Sequence, residues 1–599
     1  MRMIILTKNQ GNFLSMLKSE VDRIMDYMEK YRLWLDSPVI DEETKNELRA
    51  LEGNSKEIED RFYKDLEFGT GGLRGVIGAG SNRMNAYTVG KATQGLANYI
   101  KKAGSEAVSR GVVIAYDSRR RSSEFALRAA LVLCANGVRA YLFEELEPTP
   151  VLSFAVRDLG ATAGIVITAS HNPPQYNGYK VYWSDGGQVT PPYDVDIIKE
   201  VNKVNDFADI KLISREEAEG SGLLRMIGED VLSRYVKRVT ELCFDKDLVQ
   251  RMGSKLRIIY TPIHGSGNKP VRRVLKEVGF TNVTVVKEQE LPDSDFPTVR
   301  YPNPEEKEVF DLAIKLAAAE GADVIIGTDP DCDRVGVVVK NRMGEYVTLT
   351  GNQTGALLVH YCLSALKSRG ELPENGCIIK TIVTSEIGRK IAESFGIETL
   401  DTLTGFKYIG EKIREFETTK SHTFIMGYEE SYGYLAGDFV RDKDAVIASM
   451  LVCEMAAYYK EKGMSLYEGL ESLWERYGYF RESLESIQME GKEGMEKITA
   501  LMNGLRHSSP KTIGGRKVTR IEDYLQSRAV DLETGEEVPV TLPVSNVMKF
   551  VLEDESWFTI RPSGTEPKVK LYFSVVGTDP DDAERRIRTL MDSVHEMIA

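Results

Sequence analysis

Ala322-Asp-Val-Ile-Ile-Gly-Thr-Asp-Pro-Asp-Cys-Asp-Arg334 runs from an apolar strand straight into a polar loop, and that junction decides how the chain is read. The arrangement recurs upstream in Ala163-Gly-Ile-Val-Ile-Thr-Ala-Ser-His-Asn172 and downstream in Thr423-Phe-Ile-Met-Gly-Tyr-Glu-Glu-Ser-Tyr432. In α/β folds, ligands gather at the carboxyl ends of strands. Three such junctions therefore predict three related α/β domains, each presenting one loop to a shared cleft. Between them, β-branched runs alternate with helical spacing, as in Val112–Tyr116, then Glu124 to Asn136, then Ala140–Phe143. That alternation is the pattern of α/β architecture.

The end of the chain differs. A strand at Trp557–Ile560, the loop Arg561-Pro-Ser-Gly-Thr-Glu-Pro567, a strand at Val569–Val576 and a helix from about Pro580, capped by Asp579, predict a fourth, α+β domain. The expected divisions are 1–213, 214–345, 346–465 and 466–599. The first includes an N-terminal helical extension, with helices over Ser15–Leu35 and Glu57–Leu66. A glycine-dense loop, Phe68-Gly-Thr-Gly-Gly-Leu-Arg-Gly75, follows it.

A chain of 599 residues exceeds what one core usually supports. Its formal charge is −14 and it has no Lys/Arg run, so no nucleic-acid partner is expected. The six cysteines are dispersed without a CxxC pair, which suits a reducing compartment and argues against a zinc site or a disulfide framework. The first residues hold too short an apolar run for a signal peptide, and no stretch has the length of a membrane span. The expectation is a cytoplasmic protein without a membrane partner.

Asp329, Asp331 and Asp333 alternate along a loop that can turn them to one point, as hard cations such as Mg²⁺ require. An EF-hand is excluded because Arg334 and Lys340 stand where Gly and Glu are needed. An aspartyl-phosphate loop of the D-x-D-x-T type fails at Asp333, and a solvated acidic turn stays open. Ser170, beside His171 and ten residues before Lys180, reads either as an activated nucleophile or as part of a polar turn. Arg561, Ser563, Gly564 and Thr565 supply a guanidinium fork, hydroxyls and backbone N–H groups, the parts of a phosphate cradle or of a plain hairpin turn. The glycine-dense loop lacks a full G-x-G-x-x-G and follows a helix, so a dinucleotide site is not expected.

Taken together, Thr168-Ala-Ser-His-Asn-Pro173, Asp329-Pro-Asp-Cys-Asp-Arg334, Gly427-Tyr-Glu-Glu-Ser431 and Arg561-Pro-Ser-Gly-Thr-Glu-Pro567 resemble, in order, the four motifs of the α-D-phosphohexomutases, the phosphoglucomutase/phosphomannomutase superfamily. The resemblance covers residues 60 to 599. It implies a four-domain α/β molecule around a central cleft, with Ser170 as a phosphoserine and Asp329, Asp331, Asp333 and a phosphoserine oxygen holding one Mg²⁺. It implies that Glu429 and Ser431 bind sugar hydroxyls. Arg561, Ser563, Gly564 and Thr565 would hold the phosphate that is not reacting. Arg74, His171, Lys180, Arg334 and Lys407 fall on positions that line the family's catalytic centre, with His171 and Lys180 as general acid/base candidates; Thr404 and Gly405 join the substrate set.

The implied reaction isomerises a phosphosugar through a sugar bisphosphate, with glucose 1,6-bisphosphate as activator, in a monomer or homodimer. The Ser431 position is alanine in the pentose and bisphosphate branches, so serine there favours glucose. Tyr428, ahead of Glu429, departs from the common hexomutase loop and bears on the choice of sugar. A phosphopentomutase or phosphomannomutase is the neighbouring alternative. From other classes come a metal-dependent serine phosphatase and a non-catalytic sugar-phosphate sensor.

Overall fold

The computed structural model describes residues 27–68, 72–489, 491–563 and 568–598. The first sheet contains β1 (Gly72–Val76), β2 (Val112–Tyr116), β3 (Ala140–Phe143), β4 (Ala163–Ile167), β5 (Tyr176–Trp183) and β6 (Leu224–Ile227), in the order β1-β5-β4-β2-β3-β6. The second contains β7 (Ile258–Thr261), β8 (Val283–Val285), β9 (Val324–Thr328), β10 (Val335–Lys340) and β11 (Tyr346–Leu349), in the order β11-β10-β9-β7-β8. The third contains β12 (Gly376–Thr381), β13 (Glu398–Thr402), β14 (Thr423–Glu429) and β15 (Gly433–Ala436), in the order β13-β12-β14-β15. The fourth, antiparallel, contains β16 (Tyr479–Gln488), β17 (Thr512–Ile513), β18 (Arg516–Asp523), β19 (Arg528–Asp531), β20 (Glu537–Pro539), β21 (Met548–Leu552), β22 (Trp557–Pro562) and β23 (Lys568–Gly577). Its order is β16-β23-β22-β21-β18-β19-β20, with β17 beside β18.

The three junctions of the sequence occupy one topological place. Strands β4, β9 and β14 each have a parallel neighbour on one side, β2, β7 and β12. On the other side each meets, antiparallel, the strand that follows it, β5, β10 and β15. The polar loops are therefore hairpin turns at the point where parallel pairing gives way to antiparallel. Each turn holds one non-glycine residue in the left-handed region: Ser170 (φ 54°), Cys332 (φ 51°) and Tyr432 (φ 65°).

Strands β4 and β9 are buried at every position, which explains their unbroken apolar runs. One apolar core runs through the first three domains, joining Ala115, Tyr235, Ile326, Ile379 and Ile447. Helix Ala445–Glu461 passes through it, apolar nearly all round. The fourth domain has its own core, with Phe558 stacked between Phe550 and Phe573.

Two expected divisions move. Strand β6 pairs with β3, so the first sheet runs past residue 213; the polar stretch before β6 is a surface excursion holding the short helix Arg215–Gly220. Helix Leu466–Tyr477 packs on helices Gly351–Ser368 and Ala445–Glu461, so the third unit runs past 465. The chain then turns at Gly478 (φ 109°) into β16. The Ser465–Glu468 capping box marks a helix start, not a domain start.

Of the expected helix over Ser15–Leu35, the part before residue 27 lies outside the described residues; a helix spans 27–36. With helix Ser55–Phe62 it packs Tyr31, Trp34 and Phe62 against Tyr87 and Phe207 of the first domain. The helix expected to reach Leu66 stops at Phe62, and the Leu66 N–H bonds the Ser81 carbonyl. From Gly72 the glycine-dense segment is edge strand β1, not a loop. Its neighbour Gly178 is obligatory, because a Cβ there would lie 2.4 Å from the Thr168 carbonyl oxygen.

Candidate active site

Ser170 follows β4 and is buried. Its Oγ lies 3.1 Å from His171 Nδ1 and 3.2 Å from Asp329 Oδ2. Arg74, on β1, donates to Asn172 Oδ1 at 3.1 Å and so stands against the same loop. Lys180, on β5, reaches the second domain, with Nζ 2.9 Å from Asp331 Oδ2 and 3.5 Å from Asp333 Oδ2.

Asp329, Asp331 and Asp333 are fully buried and bring one oxygen each within 4.8 Å of the others. Asp329 Oδ1 accepts from the Asp333 and Arg334 N–H groups, both at 3.0 Å. Asp331 Oδ1 and Asp333 Oδ1 have no hydrogen-bond partner. A buried carboxylate oxygen without a partner is costly, and oxygen donors converging from three carboxylates are the set that a hard divalent cation takes. The residues present therefore fit a metal.

Burial, then the Asp333 and Asp331 charges, push the Asp329 carboxyl well above the ordinary range. Burial acts the same way on Asp331, but Lys180 and Lys443 outweigh it and hold that group below the ordinary range. Burial lowers Lys180, yet Asp331 and Asp333 leave it raised. His171 is held well below its usual value by burial and by Arg334 and Arg74.

Glu429 ends β14, and its Oε1 accepts from the Gly405 N–H at 2.8 Å. Burial raises it to about 7, with Glu430 adding to the shift. Glu430 accepts from the Thr381 and Thr384 hydroxyls at 3.1 Å each. Tyr428 faces the other way: strand alternation sends its ring between Gly355 and Gly388, where a Cβ on either glycine would come within 2.3 Å of it. Tyr428 is fully buried and does not line the cavity, so the expectation that it bears on the sugar is corrected.

A cavity of about 700 Å³ joins the loops. Arg74, Ser170, His171, Lys180 and Arg334 line one side, and Thr404, Gly405, Glu429 and Ser431 another. Arg561, at the end of β22, closes it from the fourth domain. Ser563 follows β22, with its N–H on the Lys568 carbonyl at 2.7 Å; Gly564 and Thr565 lie outside the described residues. Lys407 is not on the cavity wall. It lines a small adjoining pocket, its Nζ 3.9 Å from Asp194 Oδ2, and burial lowers it against the pull of Asp194 and Glu411.

Sequence reasoning missed several supports. Thr149 donates to Asp331 Oδ2 at 2.8 Å from the first turn of helix Thr149–Asp158. Lys443 Nζ lies 2.8 Å from Asp333 Oδ2 and lines the cavity; the charge run Arg441-Asp-Lys-Asp444 just before an apolar helix was the available signal. Lys568 and Lys570 stand beside Arg561. Ser266 donates to the Pro330 carbonyl at 2.9 Å under the metal loop, and nothing in its local sequence announced that.

Four family models match in order: phosphoglucomutase/phosphomannomutase α/β/α domain I over residues 65–207, domain II over 233–344, domain III over 350–477 and the C-terminal domain over 515–591. The chain is 38% identical over 517 residues to a phosphoglucomutase of Staphylococcus haemolyticus (strain JCSC1435), covering 86% of this chain and 91% of that relative. It is 37% identical over 543 residues to a phosphoglucomutase of Staphylococcus aureus (strain MRSA252), covering 90% and 95%. The fold is similar to the crystal structure of the Paramecium exocytosis-sensitive phosphoprotein pp63/parafusin, a phosphoglucomutase, in its open form, with a TM-score of 0.68, 18% identity and coverage of 90% and 95%. It is also similar to a phosphoglucomutase/phosphomannomutase family protein of Burkholderia thailandensis, with a TM-score of 0.63, 19% identity and coverage of 89% and 96%. No helix among the described residues is long and apolar enough to cross a membrane.

Proposed function

The chain belongs to the phosphoglucomutase/phosphomannomutase family, and from that premise we propose that it interconverts α-D-glucose 1-phosphate and glucose 6-phosphate through phosphorylated Ser170 and a glucose 1,6-bisphosphate intermediate. The observation that carries this is Ser170 Oγ, 3.2 Å from a buried Asp329 and open to a cavity that Arg561 closes from another domain.

Asp329, Asp331 and Asp333, with an oxygen of the phosphoserine, would hold one Mg²⁺. When bound, that ion supplies neutralisation of the charge on the transferring phosphoryl group. The protein's part is positioning and charge, which phosphoryl transfer needs more than covalent activation. Arg74, Lys180 and Arg334 face the reacting phosphoryl. His171 and Lys180 are the groups in reach of a sugar hydroxyl's proton. Glu429 and Ser431 would take the ring hydroxyls, beside Thr404 and Gly405. Arg561, Ser563, Gly564 and Thr565 would take the distal phosphate. Because cations line the cavity from more than one domain, a bisphosphate that turned end for end would still meet a cation at each phosphate. Lys407, of the catalytic set, stands in the adjoining pocket, next to the cavity-lining Phe406.

A coupled assay tests the reading: glucose 1-phosphate with Mg²⁺ and trace glucose 1,6-bisphosphate, beside mannose 1-phosphate and ribose 1-phosphate, with free phosphate followed and Ser170→Ala as control. The expected result is rapid glucose isomerisation that the control lacks. A preference for ribose 1-phosphate would overturn the sugar assignment, and phosphate release without isomerisation would overturn the mutase.

A further inference from the structure

We propose that Arg119 is a positioning residue that fixes the left-handed backbone of Ser170 by holding four carbonyls of its loop, with Asp117 and Thr168 completing the clamp. The inference rests on Ser170 being the phosphorylated residue. Arg119 lies just past β2, the parallel neighbour of β4. Its Nη1 donates to the carbonyls of Pro173 at 2.9 Å and Tyr176 at 3.1 Å, and its Nη2 donates to those of Ser170 and Asn172, both at 2.5 Å. Its Nε lies 3.3 Å from Asp117 Oδ2, and neither side chain has any exposure. The same Asp117 oxygen accepts the Thr168 hydroxyl at 2.6 Å, and Thr168 Oγ1 accepts the Ser170 N–H at 2.8 Å. Both backbone polar groups of Ser170 are thus held by side chains, the carbonyl by Arg119 from outside the turn and the N–H by Thr168, itself tied to Asp117. Phe296, from the second domain, covers the guanidinium at 5.1 Å.

A non-glycine residue keeps a positive φ only where its surroundings over-determine it. At φ 54° Ser170 needs such a frame, and the frame is what aims Oγ at Asp329 and His171. Only a planar fork can serve four acceptors spread over seven residues of chain. A lysine brings the charge to one point and leaves carbonyls unmet.

The test is Arg119→Lys, with Thr168→Val as an uncharged second variant. For each, kcat and KM for glucose 1-phosphate are measured per folded molecule, the folded fraction coming from thermal unfolding. The rate of Ser170 phosphorylation by glucose 1,6-bisphosphate is followed by mass spectrometry. A misplaced nucleophile should lower kcat about 100-fold in Arg119→Lys. The phosphorylation rate should fall alongside it, with KM within about threefold of wild type because no sugar contact changes. In Thr168→Val the same pattern should appear at about tenfold, a smaller displacement. Wild-type kcat per folded molecule in Arg119→Lys, whatever its melting temperature, would overturn the clamp. If Arg119→Lys shows no cooperative unfolding, Thr168→Val decides alone, and a wild-type kcat there would overturn it. A wild-type protein that isomerises no phosphosugar would sink the phosphoserine reading, and the clamp with it.

Discussion

Replacing Lys180 by methionine removes one buried cation while leaving most of the side chain's volume in place. Its ammonium sits 2.9 Å from Asp331 and 3.5 Å from Asp333, both fully buried. At an effective dielectric of about 20, each attraction is worth about 5 kcal/mol before desolvation. Desolvation of three charges offsets much of that, and breaking a buried pair by removing one partner costs about 3–5 kcal/mol net. Lys180 lies in the first domain and the carboxylates in the second, so the loss falls on the docking of the two. Urea unfolding in chelator should therefore show Lys180→Met less stable than wild type by about that amount. Mg²⁺ should then restore most of the loss, because a cation between Asp331 and Asp333 replaces the missing charge. A ligand that binds only the folded state adds about 2.7 kcal/mol at a hundred times its Kd. In the wild type, Lys180 already neutralises the same oxygens, so Mg²⁺ should stabilise it less than the variant. Equal stability of the two proteins in chelator, or a loss that Mg²⁺ leaves untouched, would refute this account.

Tyr428→Phe removes a buried hydroxyl without a hydrogen-bond partner. Stability should hold or rise by about 1 kcal/mol in thermal unfolding, and the ratios of kcat/KM among glucose, mannose and ribose 1-phosphates should not change; a changed sugar preference would refute the outward-facing ring. Glu147→Gln should act through pH. Burial, with Glu145 adding and Lys269 opposing, raises the Glu147 carboxyl from 4.5 to about 8. The folded state therefore keeps a proton that the unfolded chain has released, and stability is lost as pH rises from about 4.5 to about 8. The variant should match wild type in urea midpoint near pH 4.5 and exceed it near pH 8; a gain that is the same at both would refute burial of a neutral carboxyl.

Strands β2, β4 and β9 were legible because each is an apolar run of strand length bounded by polar residues. The three loops were legible because functional residues crowd a strand's end. What pairing decides was not legible. Nothing local shows that β6 joins β3 across the polar stretch after residue 213, or that Arg74 rides an edge strand. The direction of Tyr428 follows from the two-residue period of β14 and from Gly355 and Gly388, which lie far from it in sequence. Thr149, Lys443 and Ser266 escaped for the same reason. Each touches the Asp329–Asp333 loop from another strand end or helix end; a lone Thr or Ser carries no signal of what it will meet, and the charge run around Lys443 marks a polar site without naming its partner.

The metal loop is gripped by backbone from both flanking domains. The Thr149 N–H bonds the Asp331 carbonyl at 2.9 Å from the first domain. From the third, the Ala445 N–H bonds the Cys332 carbonyl at 3.2 Å, and the Val335 N–H bonds the Tyr432 carbonyl at 3.1 Å. An isolated bridge pairs Arg334 with Gly433, two residues past Ser431. Backbone bonds have fixed reach, so Asp333 cannot shift against Glu429 and Ser431 without breaking this ladder. The Asp329–Asp333 loop and the Glu429–Ser431 loop are therefore one mechanical unit, resting on the core that the first three domains share. Arg561 stands outside it, on a domain with a separate core. That domain is seated on the third by a buried apolar cluster, Ile382, Val383 and Leu403 against Tyr524, Val547, Trp557 and Tyr572, with the Lys549 ammonium on the Ile382 carbonyl at 2.9 Å. The loops of the first three domains thus rest on one shared core, while Arg561 stands on a domain with its own core that is joined to the third through a separate buried apolar cluster.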